Sequence, residues 1–319
     1  MLDSNQSENN IQQNFLIDAL LKDRKSERRW KNFRFFVYLF LLLAFIFLVF
    51  SSKFSAETNG ASIHPYVSMV RLSGVILPGS NFSAEKVVPQ LQNAFEDTHA
   101  KGVVIVINSP GGSPVQASII HDKILELKKQ YHKKVIVIGE DALASGAYLV
   151  ATAGDEIYVN NDTLTGSIGV IMSGFGFTDA INKLGITRRV ITAGENKDRL
   201  DPFKPEDPAD NAKIQMVLNE VHQSFIKDVK EGRGNRLRGD EKELFSGDFW
   251  TGSEAVKLGL ADGTGNLWNV LQNQFQVKYY VDYTRKSTLM NILLGDVDSE
   301  LNLGLFDHNS PLQAQLNSF

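Results

Sequence analysis

Between residues 35 and 50 the chain reads FFVYLFLLLAFIFLVF, sixteen residues without a charge. A run that is apolar on every face cannot be the surface helix of a globular domain, which keeps a polar side toward water. With Ser51 and Ser52 it reaches 18 residues, close to the roughly 20 that cross a bilayer, and residues 35–52 therefore read as a transmembrane anchor. Lys22, Arg24, Lys25, Arg28, Arg29, Lys31 and Arg34 precede this run, whereas only Lys53 follows closely. The positive-inside bias puts residues 1–34 in the cytoplasm and everything after Lys53 outside. A cleaved signal peptide is the rival reading. Against it, more than thirty residues precede the apolar run and no A-x-A site follows it.

The rest of the 319 residues must supply a core, and 43% apolar content is enough for one. Cysteine is absent, which excludes disulfides, thiolate nucleophiles and Cys-ligated zinc. Residues 1–34 hold seven Lys/Arg against five Asp/Glu, leaving 26 basic and 32 acidic residues in the body. That mild acidity argues against a nucleic-acid partner.

After a Ser/Ala/Asn-rich linker at 53–65, a compact domain is expected over 66–283. Strands are predicted at 66–72, 74–77, 103–107, 135–138 and 156–159, with helices at 84–97, 113–129 and 145–153 between them. The strand VVIVI at 103–107 is apolar throughout, as in a parallel sheet covered on both faces. Ser113 and Pro114 form a capping signal, and so do Asp207 and Pro208 after a polar loop at 193–208. The helix after Asp207 carries Ile214, Val217, Leu218, Val221 and Phe225, a stripe that should face a core. Alternating strands and helices indicate an α/β domain. The tail, 284–319, gives no clear pattern and fits either partial disorder or local packing of Leu289–Leu294.

Three stretches suggest chemistry. INSPGGSP, 107–114, lies between a buried strand and a helix start, where two glycines expose backbone N–H groups as an oxyanion hole requires. It also fits an ordinary strand-to-helix turn. Ser145 sits among Ala and Gly in ALASGAY, where a peptide backbone can approach a hydroxyl closely; it also fits a simple helix N-cap. A nucleophilic serine needs a base. The six histidines show no paired spacing, and the zincin and G-x-S-x-G patterns are absent, so neither a metal nor a cofactor is expected. A lysine can replace histidine when burial favours its neutral amine. Lys197, in AGENKDRLDPF, is one of many candidates and fits a solvated loop lysine as well.

In order, INSPGGS, ASGAYLVATAGDEIYVN, TGSIGV, a GxxKD loop followed by a proline, and WTGSEAVKLGLADGTG resemble the half-length form of the signal peptide peptidase A family of serine proteases. The similarity covers roughly residues 67–265. It implies a crotonase/Clp-protease-type fold, a spiral of β-β-α units, and a Ser–Lys dyad. By motif, Ser145 matches the nucleophile, Lys197 the general base and Ser167 the serine that orients the lysine. Gly112 matches the oxyanion-hole glycine, with Gly111 and the N–H of Gly146 assisting. Glu195 departs from the pattern, since a carboxylate turned toward Lys197 would hold its amine protonated. WTGSEAVKLGLAD has no evident chemistry and should pack the fold.

The resemblance further implies signal peptides and hydrophobic peptides as substrates, the bacterial cytoplasmic membrane as location with an extracytoplasmic catalytic domain, and a homo-oligomer with sites shared between subunits. A crotonase-type acyl-CoA enzyme is the alternative in another enzyme class, opposed by the external placement. A catalytically silent scaffold is the third, opposed by the presence of both Ser145 and Lys197. Reaction with a fluorophosphonate separates the enzyme from the scaffold.

Overall fold

The computed structural model describes Trp30, residues 33–45 and residues 64–284. The chain divides into two units, 1–63 and 64–319. In the first, residues 33–45 are helical and exposed. No described helix is long and apolar enough to cross a membrane. The expected anchor continues to residue 52, and its part from 46, the linker to 63 and the tail from 285 lie outside the described residues.

The second unit is a mixed α/β domain around a largely parallel sheet. Its order is β1 (Tyr66–Ser73), α1 (Ala84–Glu96), β2 (Val103–Ser109), α2 (Pro114–Tyr131), β3 (Val135–Ala144), α3 (Gly146–Ala151), β4 (Glu156–Val159) and β5 (Leu164–Gly166). Then follow α4 (Thr178–Lys183), α5 (Pro208–Arg233), a 3₁₀ turn, α6 (Glu241–Leu244), β6 (Phe249–Trp250), α7 (Gly252–Lys257), β7 (Gly263–Thr264), α8 (Leu267–Gln274) and β8 (Tyr279–Asp282). The strands run β6-β5-β3-β2-β1-β8, with β4 also beside β3 and β7 beside β4. Among the described residues only β5 and β6 pair antiparallel.

The uninterrupted apolar run of β2 has a direct cause. Val103, Ile105 and Ile107 pack with Leu91 and Phe95 of α1 and Ile120 and Ile124 of α2, while Val104 and Val106 pack on the other face with Val270 and Leu271 of α8. Each side of the strand meets a helix. The predicted cap of α2 is present, with Ser113 accepting from the Gln116 N–H and Pro114 in the first turn. Asp207 caps α5 in the same way through Ala209 N–H.

Three expectations change. Residues 74–77 form no strand; Gly74 turns the chain at φ +91° and only Ile76 makes a bridge, to Gly112. β3 runs to Ala144, well past residue 138, because it absorbs the polar pair Glu140–Asp141 and then takes a new partner. Residues 136–139 pair with β4, and residues 142–144 pair with β5. The stripe on α5 meets the core only at its end: Phe225 and Val229 are buried, while Val217 and Val221 are half-buried. Ile214 and Leu218 line a cavity of about 920 Å³ with Phe175, Leu200 and Pro202.

Candidate active site

β2 and β3 are neighbours in the parallel sheet and end at the same edge, the place where α/β sheets leave a crevice. Beyond β2, Gly111 and Gly112 turn the chain into α2 at φ +101° and +145°. Ile76 N–H donates to Gly111 O and Ser113 N–H to Ile76 O, so the turn is fixed from one side. The space is fully used. A Cβ on Gly112 would come within 2.2 Å of Ile76 O, and one on Gly111 would lie 2.6 Å from Ser145 Cβ. Glycine is required at both positions so that this turn can lie against Ser145.

Ser145 stands between β3 and α3 with φ 52° and ψ −129°. Few non-glycine residues adopt such a conformation, and those that do are held there by their surroundings and concentrate at functional sites. Here the Ser145 N–H donates to Gly166 O at 2.8 Å, tying the turn to β5. Although Ser145 occupies the N-cap position, its side chain makes no capping bond, and the residue is partly exposed. Its hydroxyl is therefore not spent on the helix. The six residues of α3 are all buried, and Tyr148 Oη donates to Leu260 O at 2.8 Å. That bond anchors the helix on the WTGSEAVKLGLAD segment, where Ala255 and Leu260 are buried and no described chemistry resides.

The backbone donors near Ser145 have different duties. Gly111 N–H donates to the buried Ser109 Oγ at 3.1 Å, so what Gly111 supplies is space. Gly112 N–H is left out of the bridge to Ile76, and Gly146, as the first residue of α3, has no intrahelical acceptor. The two are close: a Cβ built on Gly146 would be 3.6 Å from Gly112 N. Two adjacent, uncommitted N–H groups beside a serine hydroxyl can bind an oxyanion.

Ser167 follows Gly166, the residue that accepts from Ser145 N–H. It has φ 51° and donates its own N–H to Asp248 O at 2.7 Å. Lys197 is exposed in a turn-rich segment, its backbone N–H donating to Gly194 O. Among the described residues its amine takes part in no hydrogen bond or ion pair, Glu195 included. The residues around it are tied down: Lys204 pairs with Asp198, Arg199 with Asp210 and Arg188 with Asp201. Burial pushes the Asp201 carboxyl up, but Phe203 N–H and Arg188 outweigh it and hold the group below its usual range. The structure thus gathers Ser145, Ser167, Gly111, Gly112 and Gly146, while no hydrogen bond joins Lys197 to either serine.

Two features escape sequence reading. The strained turn at Ser145 arises without the G-x-S-x-G pattern that usually signals it. Ser109 looks like part of a turn motif, and its use as acceptor for Gly111 depends on burial; a serine two residues before a glycine pair was the available signal.

The family model for peptidase family S49 matches residues 127–278, and that for Clp protease matches residues 61–161. Both include Ser145. A Na(+)/H(+) antiporter NhaA of Brucella melitensis is 43% identical over 219 residues, 67% of this chain and 30% of that protein. A putative protease of Methanocaldococcus jannaschii is 33% identical over 202 residues, 63% of this chain and 64% of its own length. The putative signal peptide peptidase SppA of Enterococcus faecium is 30% identical over 203 residues, 64% of this chain and 58% of its own. The chain spans between 30% and 64% of the length of these three relatives. With both family models converging on the strand, turn and helix that hold Ser145, and with these relatives beside them, the matches support a protease of the signal peptide peptidase A family.

Proposed function

We propose that the chain is a membrane-anchored serine endopeptidase that hydrolyses remnant signal peptides and other hydrophobic peptides at the membrane, using Ser145 and Lys197 as a dyad. The observation that carries this reading is the conformation of Ser145, a strained strand-to-helix turn with its hydroxyl unspent and the N–H groups of Gly112 and Gly146 beside it. Ser145 Oγ attacks the peptide carbonyl while its proton passes to the neutral amine of Lys197. The carbonyl oxygen becomes an anion held by Gly112 and Gly146 N–H, and Ser167 orients the lysine. When the C–N bond breaks, Lys197 returns the proton to the departing amine. Water then gives a proton to Lys197 and attacks the acyl ester, and as the ester C–O bond breaks Lys197 passes that proton to Ser145 Oγ, which restores both groups.

Support for the remaining parts comes from different places. The strand pairings, with β3 shared between β4 and β5, fit the β-β-α spiral of the crotonase/Clp type. The exposure of Lys197 on its own chain suits a base offered to Ser145 of a neighbouring subunit in a ring-like homo-oligomer. The uncharged run at 35–50 and its basic upstream flank support the anchor and an extracytoplasmic catalytic domain.

The deciding experiment is cleavage of hydrophobic peptides by the purified full-length protein, compared with Ser145→Ala. Hydrolysis that survives in the variant overturns the reading. For topology, protease added to intact spheroplasts should digest the region after Lys53 and spare the first thirty residues; protection of the whole region overturns the external placement.

A further inference from the structure

The part of β3 that presents Ser145 is displaced from the part that begins the strand. Ile107 of β2 pairs with Gly139, and Ser109 pairs with Leu143, so β2 advances two residues while β3 advances four. Glu140 and Asp141 are the excess, a bulge that bends the strand. On its far side β3 leaves β4 for β5, and three residues later the chain reaches Ser145. The direction in which Ser145 faces therefore depends on how this bulge is held.

Asn108 holds it. Its Nδ2 donates to Asp141 Oδ2 at 2.6 Å, and its Oδ1 accepts from Ala142 N–H at 3.2 Å. Its backbone carbonyl accepts from Gly74 N–H at 3.0 Å, which joins the same residue to the end of β1. One side chain thus clasps the bulge at its outer residue and at the first residue beyond it. A second hold lies on Glu140, whose carbonyl accepts from Thr163 Oγ1 and whose carboxylate pairs with Arg71. Of these two side-chain holds, that of Asn108 is the one that reaches Asp141 and Ala142, from which the chain runs beside β5 into Ser145. Asn108 also stands one residue before Ser109, whose hydroxyl takes the Gly111 N–H. A shift at Asn108 would therefore move the nucleophile and the glycine turn together.

We propose that Asn108, clasping Asp141 and Ala142, is a positioning residue that sets the orientation of Ser145 toward the Gly112 and Gly146 N–H groups. This rests on the reading of Ser145 as nucleophile. Asn108 touches no reacting atom and acts through the bulge. An error of about 1 Å in the placement of a reacting group costs on the order of a hundredfold in rate, so loosening the clasp should lower kcat and leave KM nearly unchanged.

The chemistry of the clasp allows a reversal test in the full-length protein. Asn108→Asp keeps an acceptor for Ala142 N–H but faces Asp141 with a second carboxylate. Asp141→Asn keeps an acceptor for the Asn108 amide. The double variant Asn108→Asp, Asp141→Asn restores a donor and an acceptor with the roles exchanged. Asn108→Asp should lose roughly ten- to a hundredfold in kcat and in the rate of fluorophosphonate labelling at Ser145, with KM within about twofold. Asp141→Asn should stay near wild type, and the double variant should recover to within about threefold of it. Unchanged kcat and labelling in Asn108→Asp, or a double variant no better than that single one, overturns the proposal. Hydrogen exchange of the amides at 142–146 reads the clasp without catalysis: it should quicken in Asn108→Asp and recover in the double variant. If wild type neither cleaves nor is labelled while exchange follows this pattern, the nucleophile reading falls and the clasp stands; if exchange is unchanged, the clasp falls.

Discussion

The region that presents Ser145 and the region that carries Lys197 are built on opposite principles. From Val103 to Ser167 the chain is woven into the sheet, α3 is fully buried, and the turn at Ser145 is fixed by Gly166 and by the close approach of Gly111, whose own turn Ile76 holds. From Ile171 to Leu200, Phe175, Leu184, Ile186 and Ile191 are exposed, α4 buries none of its residues, and the segment is held by ion pairs such as Arg188–Asp201. One half of the proposed dyad is thus supported by the chain's own core and the other is not. A base needs a fixed distance to its nucleophile, so a segment like the second suits a site completed by something outside the chain.

The sharpest way to break this comparison is to remove each half in turn. Ser145→Ala should lower peptide hydrolysis by about 10⁴–10⁶-fold without lowering Tm, and Lys197→Arg should be as inactive because a guanidinium stays protonated. An active Lys197→Arg protein would remove the base from the proposal. Mixing equal amounts of Ser145→Ala and Lys197→Ala subunits separates the two arrangements. Random cyclic assembly leaves roughly a quarter of shared sites intact and none if both groups belong to one chain, so background activity in verified mixed oligomers argues for the latter.

Next in size is the frame behind Ser145. Arg233 is buried and pairs with Asp262, which also accepts from Ile157 N–H and Arg236. Asp262→Asn leaves that guanidinium without its counter-charge and should cost about 3–5 kcal/mol in denaturant unfolding. Burial raises the Asp262 carboxyl, yet the Arg233 hydrogen bond and charge, with Ile157 N–H and Arg236, hold it below its ordinary value. The sign follows from linkage. The carboxylate's contribution is present above about pH 4, the unfolded value, and is lost as pH falls through the lower folded one. Acid titration of wild type against Asp262→Asn should show the difference shrinking in that window; a difference independent of pH would deny the pair its role.

A paired glycine substitution sharpens the contrast. Gly111→Ala places a methyl group 2.6 Å from Ser145 Cβ at φ +101° and should lower kcat about a hundredfold or more. Gly194→Ala, at φ +113° beside Lys197, meets open space and should cost only backbone strain, about 1–3 kcal/mol of local ordering, with fluorophosphonate labelling of Ser145 unchanged. The smallest effect belongs to Arg188→Ala. Its pair with Asp201 is half-exposed on the Arg side, so its loss should change stability by about 0.2–1 kcal/mol and less in high salt. A larger cost would mean that the Lys197 segment is supported more firmly than its exposure implies.

Legibility in the sequence follows the same division. VVIVI announced a strand covered on both faces, and Ser113–Pro114 and Asp207–Pro208 announced two helix starts, because periodicity and capping are local properties. The short strands β5, β6, β7 and β8 were missed, since two to four residues carry too little pattern to stand apart from a loop. The polar Glu140–Asp141 pair hid the continuation of β3 for the same reason. For the site, the residue types at Gly111, Gly112, Ser145 and Gly146 were all legible as a motif set.

Local chemistry along the chain was sufficient for the α/β class, the apolar run before the domain, and the small-residue turns around Ser145. Contacts between distant residues settled the rest. The bond from Ser145 N–H to Gly166 O imposes a positive φ that no local propensity favours. Ser109 Oγ takes the N–H of Gly111, while among the described residues those of Gly112 and Gly146 donate to no partner. Residues at 76, 108, 145 and 166 become neighbours only when parallel strands far apart in sequence pair. Such pairing is decided by the burial of whole strand faces, and no window of the sequence contains it.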